Sequence, residues 1–361
     1  MSFAGGKVFD ADVHIHESYA DLLSYFERES QESLDHVRSA GSDNERFLDT
    51  PGYYPYTTFD PIRIPMPREE PHRVTSPDVL RADLTARGID AGLIFTGRLL
   101  FAALGNDIRY AVRLARAFNR YLAERWVNPR QGLYAAIMAP GQAPEEAAEE
   151  IARYAKVDGF AAVYLPSAGN YPLWGDPQYD PIYRAAEEAE LPVVLQGALT
   201  VHTVFPYQLH HVPTAVAKHV LSQSFGAQAN LVSLITRGTL ARFPRLKVVF
   251  NDAGLGWLPV VLGRLDHYYR YLREEMPFIR ERPSDYVRQQ VYLTTHPWDL
   301  LSSVAQVEAC LEAVGVEHLL FGSDWPHFDS TKPEDIWQLP IGEAEKHKIL
   351  RENASRVFRL G

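Results

Sequence analysis

A single cysteine, Cys310, stands in a chain of 361 residues. It excludes an intrachain disulfide framework and any cysteine-rich zinc site, and it suits a reducing cytoplasm. Its setting in an apolar helical stretch reads as ordinary packing. No run of lysine and arginine could neutralise a phosphate backbone, and the net charge is −10, so nucleic acid is excluded as a partner. No stretch approaches about 18 uninterrupted apolar residues, and Met1 to Lys7 lacks the apolar core of an export signal. The expectation is a protein without membrane association. No Gly-x-Gly-x-x-Gly follows the first apolar strand, which removes the usual sign of a dinucleotide site. What is present is globular: 46% hydrophobic and 23% charged residues, enough to bury one large barrel or two domains.

The most informative stretch is Val8-Phe9-Asp10-Ala11-Asp12-Val13-His14-Ile15-His16-Glu17. As a strand it puts Val8, Asp10, Asp12, His14 and His16 on one face and Phe9, Ala11, Val13 and Ile15 on the other. The second face is apolar and calls for a helix layer. The Cα atoms of His14 and His16 then lie roughly 6.6 Å apart, close enough for two imidazoles to converge on one ion. Two hydrogen-bonded histidines in a buried strand are the alternative.

Residues 18–76 follow, with an aromatic and Pro-rich stretch from Tyr53 to Phe59. An insertion this long inside a compact domain is usually functional, and its aromatics suit a lid over the strand ends. From Ser76 the chain alternates. Short apolar strands are expected at Ala91–Phe95, Leu133–Ile137, Phe160–Leu165, Pro192–Leu195, Lys247–Phe250, Val291–Thr294 and Leu319–Phe321. Helices are expected between them, including two at Ala215–Phe225 and Ala229–Phe243, and long ones at Leu258–Met276 and Glu343–Phe358. With the first strand this makes eight strands buried on both faces, which implies parallel pairing and a (β/α)8 barrel as one domain, 1–361.

Catalytic groups of such barrels stand at the C-terminal ends of strands. Here those ends carry His14, His16 and Glu17; Gln196; Asp252; Thr295-His296; and Asp324 with His327. Other features read as structural. His210 and His211 are adjacent and point apart, Tyr268, Tyr269 and Tyr271 suit core and interface, Arg242 and Arg245 suit the surface, and His318 precedes the last strand at the barrel bottom.

Asp12-Val13-His14-Ile15-His16-Glu17, Asp252-Ala253-Gly254-Leu255-Gly256-Trp257, Arg264-Leu265-Asp266, Phe321-Gly322-Ser323-Asp324-Trp325-Pro326-His327 and Glu352-Asn353-Ala354-Ser355-Arg356, in this order, resemble the amidohydrolase-2 family. The resemblance implies a metal-dependent TIM barrel, usually a hydrolase or nonoxidative decarboxylase. It also implies a metal held by positions that are here His14, His16, Gln196 and Asp324, with Asp252 nearby. Two positions depart from the family pattern, since Gln196 and Asp252 stand where histidines are common. No lysine ends the fourth strand, so a carbamylated-lysine bridge is not expected. His202 and His296 offer replacement ligands.

A mixed cluster of His14, His16, Glu17, Gln196, His202, Asp252, His296, Asp324 and His327 suits iron or manganese as well as zinc. The expectation drawn from the departures is a nonheme diiron monooxygenase, a branch that the family resemblance includes. It would use two Fe ions, O2 and a reductant to hydroxylate a bulky apolar substrate, coenzyme A-linked in that branch. The alternative expectation is a mononuclear Zn or Mn hydrolase or nonoxidative decarboxylase, with Asp252 or Glu17 moving the proton and Asp324 completing the catalytic group. Family analogy adds a homo-oligomer.

Overall fold

The computed structural model describes residues 7–26, 72–97, 99, 108–167, 170–197, 215–297 and 303–360. The expected lid at Tyr53–Phe59, His202 and the pair His210-His211 lie outside them.

Eight parallel strands form one sheet in sequence order: β1 (Phe9–Ile15), β2 (Ala91–Thr96), β3 (Leu133–Met138), β4 (Phe160–Pro166), β5 (Val193–Gln196), β6 (Val248–Asn251), β7 (Val291–Thr294) and β8 (Leu319–Leu320). They are apolar runs with almost every residue buried, as a sheet covered on its outside and filled on its inside requires. The barrel closes where β8 meets β1. Ala11 donates its N–H to the Phe321 carbonyl at 2.8 Å, Asp324 to Asp12 at 2.9 Å and His14 to Trp325 at 2.7 Å. The extension of β8 beyond Leu320 thus completes the ring.

Helices cover the strands: α1 (Tyr19–Leu23), α2 (Pro77–Ala86), α3 (Ile108–Tyr121), α4 (Pro144–Tyr154), α5 (Asp180–Ala189), α6 (Ala215–Thr236), α7 (Thr239–Arg242), α8 (Leu258–Tyr269), α9 (Pro283–Gln290), α10 (Val304–Val314), α11 (Pro333–Trp337), α12 (Glu343–His347) and α13 (Asn353–Phe358). Several begin as their sequences dictate. Ser76 accepts from the Val79 N–H with Pro77 in the first turn, and Ser303 accepts from Gln306. The two helices expected between β5 and β6 divide later than expected: α6 carries Gly226 through, its carbonyl accepting from Asn230, and runs to Thr236, leaving the second as the short α7. The long helix expected after β6 stops at Tyr269. Tyr269 is buried while Tyr268 and Tyr271 are exposed, Arg242 is paired with Asp180 at 2.7 Å, and His318 lies just before β8 against the Val291 carbonyl. Among the described residues no helix is long and apolar enough to cross a membrane.

Candidate metal centre

The inner face of β1 delivers the first side chains. Asp10, Asp12 and His14 alternate along it and all three are buried. Asp10 lies deepest in the wall, accepting from the N–H groups of Ser323 and Asp12 at 2.9 and 3.1 Å, and burial raises its pKa to about 7. Asp12 and His14 come next, with Asp12 Oδ1 3.2 Å from His14 Nε2. The strand ends at Ile15; His16, which an extended chain would put on the same face as His14, is half-buried, and its N–H donates to the Val74 carbonyl.

The other strand ends supply the rest. Gln196 closes β5, and its Nε2 lies 3.4 Å from Asp12 Oδ2. Asp252 follows β6, His296 follows β7, and Asp324 and His327 follow β8. Asp324 Oδ1 is 3.1 Å from His14 Nε2 and 2.8 Å from His327 Nδ1, while its Oδ2 is 3.5 Å from His296 Nε2. Asp252 Oδ1 is 3.6 Å from the same His296 nitrogen. Asp252 and Asp324 adopt φ of +50° and +59°. Such left-handed conformations cost on the order of 1–3 kcal/mol each and concentrate at functional sites. Gly197 lets the chain after β5 pass against this turn, since a Cβ there would stand 2.3 Å from the Asp252 carbonyl oxygen.

Both central histidines have a fixed tautomer or one that their partner permits. His14 Nδ1 is 2.7 Å from the Thr96 carbonyl, which can only accept, so Nδ1 carries the proton and Nε2 presents a lone pair. His296 Nδ1 lies 3.0 Å from Thr331 Oγ1, an arrangement that likewise leaves Nε2 for the cluster. These Nε2 atoms, Asp12 Oδ1 and Gln196 Oε1 are buried without hydrogen-bond partners among the described residues. Orphaned buried polar atoms are costly unless something binds them.

A divalent cation meets that requirement. Donor atoms about 2.1 Å from one ion lie roughly 3.0 Å apart at octahedral angles and 3.4 Å apart at tetrahedral ones, close to the spacings around His14, Asp324 and His296. The ligand atoms of Asp252, His296 and Asp324 all lie within 4.8 Å of one another, as do those of His14, Asp324 and His327. The electrostatics agree. Burial opposes charge on His14, yet Asp12 and Asp324 raise its pKa well above the ordinary value; in effect they call for a cation. Burial, then the Asp324 and Asp12 carboxylates, push Asp252 well above the usual range. Burial pulls Asp324 the same way, but His327, His14 and His296 hold it well below.

The structure therefore brings together His14, Gln196, Asp252, His296, Asp324 and His327 from the residues singled out by sequence. Glu17 stands apart. Its buried carboxylate accepts from the hydroxyl of Thr96 and from the N–H groups of Gly97 and Leu99 at 3.3 and 3.1 Å. Asp12, Thr96 and Thr331 are the participants that sequence reasoning left out. For Asp12 the signal was its shared face with His14; for the threonines, whose contacts are made across the fold, there was none.

Comparison with known proteins bears on this centre. A γ-resorcylate decarboxylase from Rhizobium sp. is 27% identical over 263 residues, covering 70% of this chain and 78% of its own. An amidohydrolase from Mycobacterium avium subsp. paratuberculosis superposes with a TM-score of 0.76 at 21% identity over 99% of this chain and 100% of its own. A 5-carboxyvanillate decarboxylase from Novosphingobium aromaticivorans, solved with bound manganese and 3-methoxy-4-hydroxy-5-nitrobenzoic acid, gives a TM-score of 0.73 at 19% identity over 99% and 98%. These findings correct the expectation of a nonheme diiron monooxygenase. The sequence relatives from Rhizobium, Polaromonas and Rhodococcus are γ-resorcylate decarboxylases at 24–27% identity, so the iron pair, O2, reductant and coenzyme A linkage lose their support. The amidohydrolase family profile matches residues 11–360, from the strand that carries His14 to the last helix, and the chain belongs to the amidohydrolase family.

Proposed function

We propose that the protein is a metal-dependent nonoxidative decarboxylase of hydroxylated aromatic carboxylic acids. The observation that carries this reading is the buried set of ligand atoms that meets at Asp324: His14 Nε2 lies 3.2 Å from Asp12 Oδ1 and 3.1 Å from Asp324 Oδ1, and Asp324 Oδ2 lies 3.5 Å from His296 Nε2. The kinship with decarboxylases of γ-resorcylate and 5-carboxyvanillate supports it.

In this reading Asp12, His14 and Asp324 hold one divalent ion, manganese in the first instance, with His296 and Gln196 beside it. The ion would supply positive charge for the substrate's carboxylate and the hydroxyl oxygen next to it. Glu17 holds Thr96, whose carbonyl fixes the His14 ring, so its role is to orient a ligand. Asp252 carries the proton. It sits against His296, its Oδ1 3.6 Å from the ring Nε2, at the buried end of β6. The balance is simple: the bond from ring carbon to carboxyl carbon breaks, its electron pair stays on the ring carbon, Asp252 delivers a proton there, and CO2 leaves. A proton from solvent restores Asp252.

The test is turnover of 2,6-dihydroxybenzoate and 5-carboxyvanillate in D2O by protein stripped with a chelator and reloaded with Mn2+. Release of one CO2 per substrate, with deuterium at the vacated ring carbon, is expected from at least one of them. Absence of CO2 from a wider panel of hydroxybenzoates by manganese-loaded protein would overturn the reading.

A further inference from the structure

Outside the barrel wall, α2 grips the loop that carries Asp324 and His327. Arg87, the residue after α2, lies with its guanidinium carbon 4.2 Å from the centre of the Trp325 ring, and its Nη2 donates to the Thr331 carbonyl at 2.9 Å and to Ser330 Oγ at 3.2 Å. It thus holds both ends of the loop after β8. Asp83, one turn earlier, accepts from Trp325 Nε1 at 3.3 Å and lies 2.7 Å from His72 Nε2. The loop ends meet the metal centre directly: Trp325 adjoins Asp324, and Thr331 Oγ1 faces His296 Nδ1 at 3.0 Å while its N–H donates to the Ser323 carbonyl at 2.9 Å.

We propose that Arg87 is a positioning residue for the metal centre. It fixes the loop 323–331 so that Asp324 and His296 face one ion, acting through Trp325 on the first and through Thr331 on the second. Arginine suits the task because its planar group stacks on the indole while a single nitrogen donates to two acceptors, which an ammonium on a flexible stem does not reproduce. The inference rests on the reading of Asp324 and His296 as parts of a metal centre.

The experiment is the Mn2+ dissociation constant of the full chain, measured from the electron paramagnetic resonance signal of unbound Mn2+, a readout that needs no turnover. Arg87→Met is expected to raise it about tenfold or more, with Arg87→Lys intermediate and Thr331→Val moving it the same way. Arg81→Met is the control. Arg81 lies on the same helix and donates to the carbonyls of Ile89, Asp90 and Gln131 at 2.6, 2.6 and 3.0 Å, none of them on the loop. Its loss should lower the melting temperature yet leave the constant within about twofold of wild type, the scatter of a residue without coupling. Equal weakening by Arg81→Met, or an unchanged constant in Arg87→Met, overturns the proposal while leaving the metal reading standing. If wild type itself binds no Mn2+, both fall. Should Arg87→Met fail to fold, Arg87→Lys and Thr331→Val decide.

Discussion

Replacing Asp12 by Asn separates the two ways in which β1 could serve an ion, through Asp12 and His14 or through His14 and His16. The substitution keeps the shape of the side chain and a partner for Gln196 but removes the charge 3.2 Å from His14 Nε2. Breaking a buried charge pair by removing one partner costs about 3–5 kcal/mol, which is a loss of about two to three and a half powers of ten in affinity for the ion. The protein without metal has little to lose, since Asp12 is one of three buried carboxylates in the cluster, with Asp252 and Asp324. The effect is legible in a thermal melt. At a Mn2+ concentration 1,000 times the wild-type dissociation constant, linkage stabilises wild type by about 4.1 kcal/mol. For 361 residues the unfolding entropy is about 0.76 kcal/mol per degree, so the ion raises the wild-type midpoint by about 5 °C. Asp12→Asn should shift by less than about 2 °C at the same concentration. His16→Ala should respond as wild type does. An Asp12→Asn protein that keeps the full shift, together with a His16→Ala protein that loses it, would refute the assignment.

Three further outcomes follow from the same geometry. Asp252→Asn should keep Mn2+ binding near wild type and lower kcat by about 100-fold or more, the usual worth of a positioned acid; a variant with wild-type kcat would remove Asp252 from the proton path. Gly197→Ala places a methyl 2.3 Å from the Asp252 carbonyl oxygen, so urea unfolding should show a loss of about 1–3 kcal/mol, and an unchanged midpoint would mean that the turn after β6 yields freely. His318 gives a pH signature remote from the metal. Burial, then the charge of Arg356, lower its pKa below the ordinary 6.5, against the opposing hydrogen bond to Val291. The unfolded chain therefore takes up this proton first, and the stability His318 lends is present above pH 6.5 and lost as the pH falls through the folded-state value. His318→Asn should flatten the stability profile between pH 5 and 7 in urea titrations, and an unaltered slope would exclude His318 as its source.

The barrel was legible because its signal is local. Short apolar runs such as Leu133–Met138 and Phe160–Pro166, each followed by a helix, leave few parallel arrangements other than a closed ring. The strand-end rule likewise pointed to His14, Asp252, His296 and Asp324 before any contact was known. What sequence could not carry was the length of a pleat. Alternation placed Asp12, His14 and His16 on one face, and only the folded chain shows Asp12 Oδ1 3.2 Å from His14 Nε2, beside it in the cluster. Glu17 was open to misreading for a similar reason. The donors to its carboxylate, Thr96, Gly97 and Leu99, come from the end of β2, about eighty residues away. The oxygenase expectation had a different origin, since it took two replaced histidines as a change of chemistry, which the identity of two side chains does not by itself specify.

The centre and the seam of the barrel are one construction. The backbone groups that join β8 to β1 belong to ligand residues or their neighbours: Asp324 donates to Asp12, and His14 donates to Trp325. Each such bond limits the separation of the side chains on the two strands, and across this seam His14 and Asp324 approach to 3.1 Å. Asp324 itself stands in a left-handed turn, a conformation that aspartate tolerates better than most residues. Carboxylates crowded by that geometry repel one another, and the repulsion is relieved by a cation at the place where the strands already converge. Ligand choice at the ends of β1 and β8 is on this account constrained twice, once by the chemistry of the ion and once by the hydrogen bonds that close the barrel.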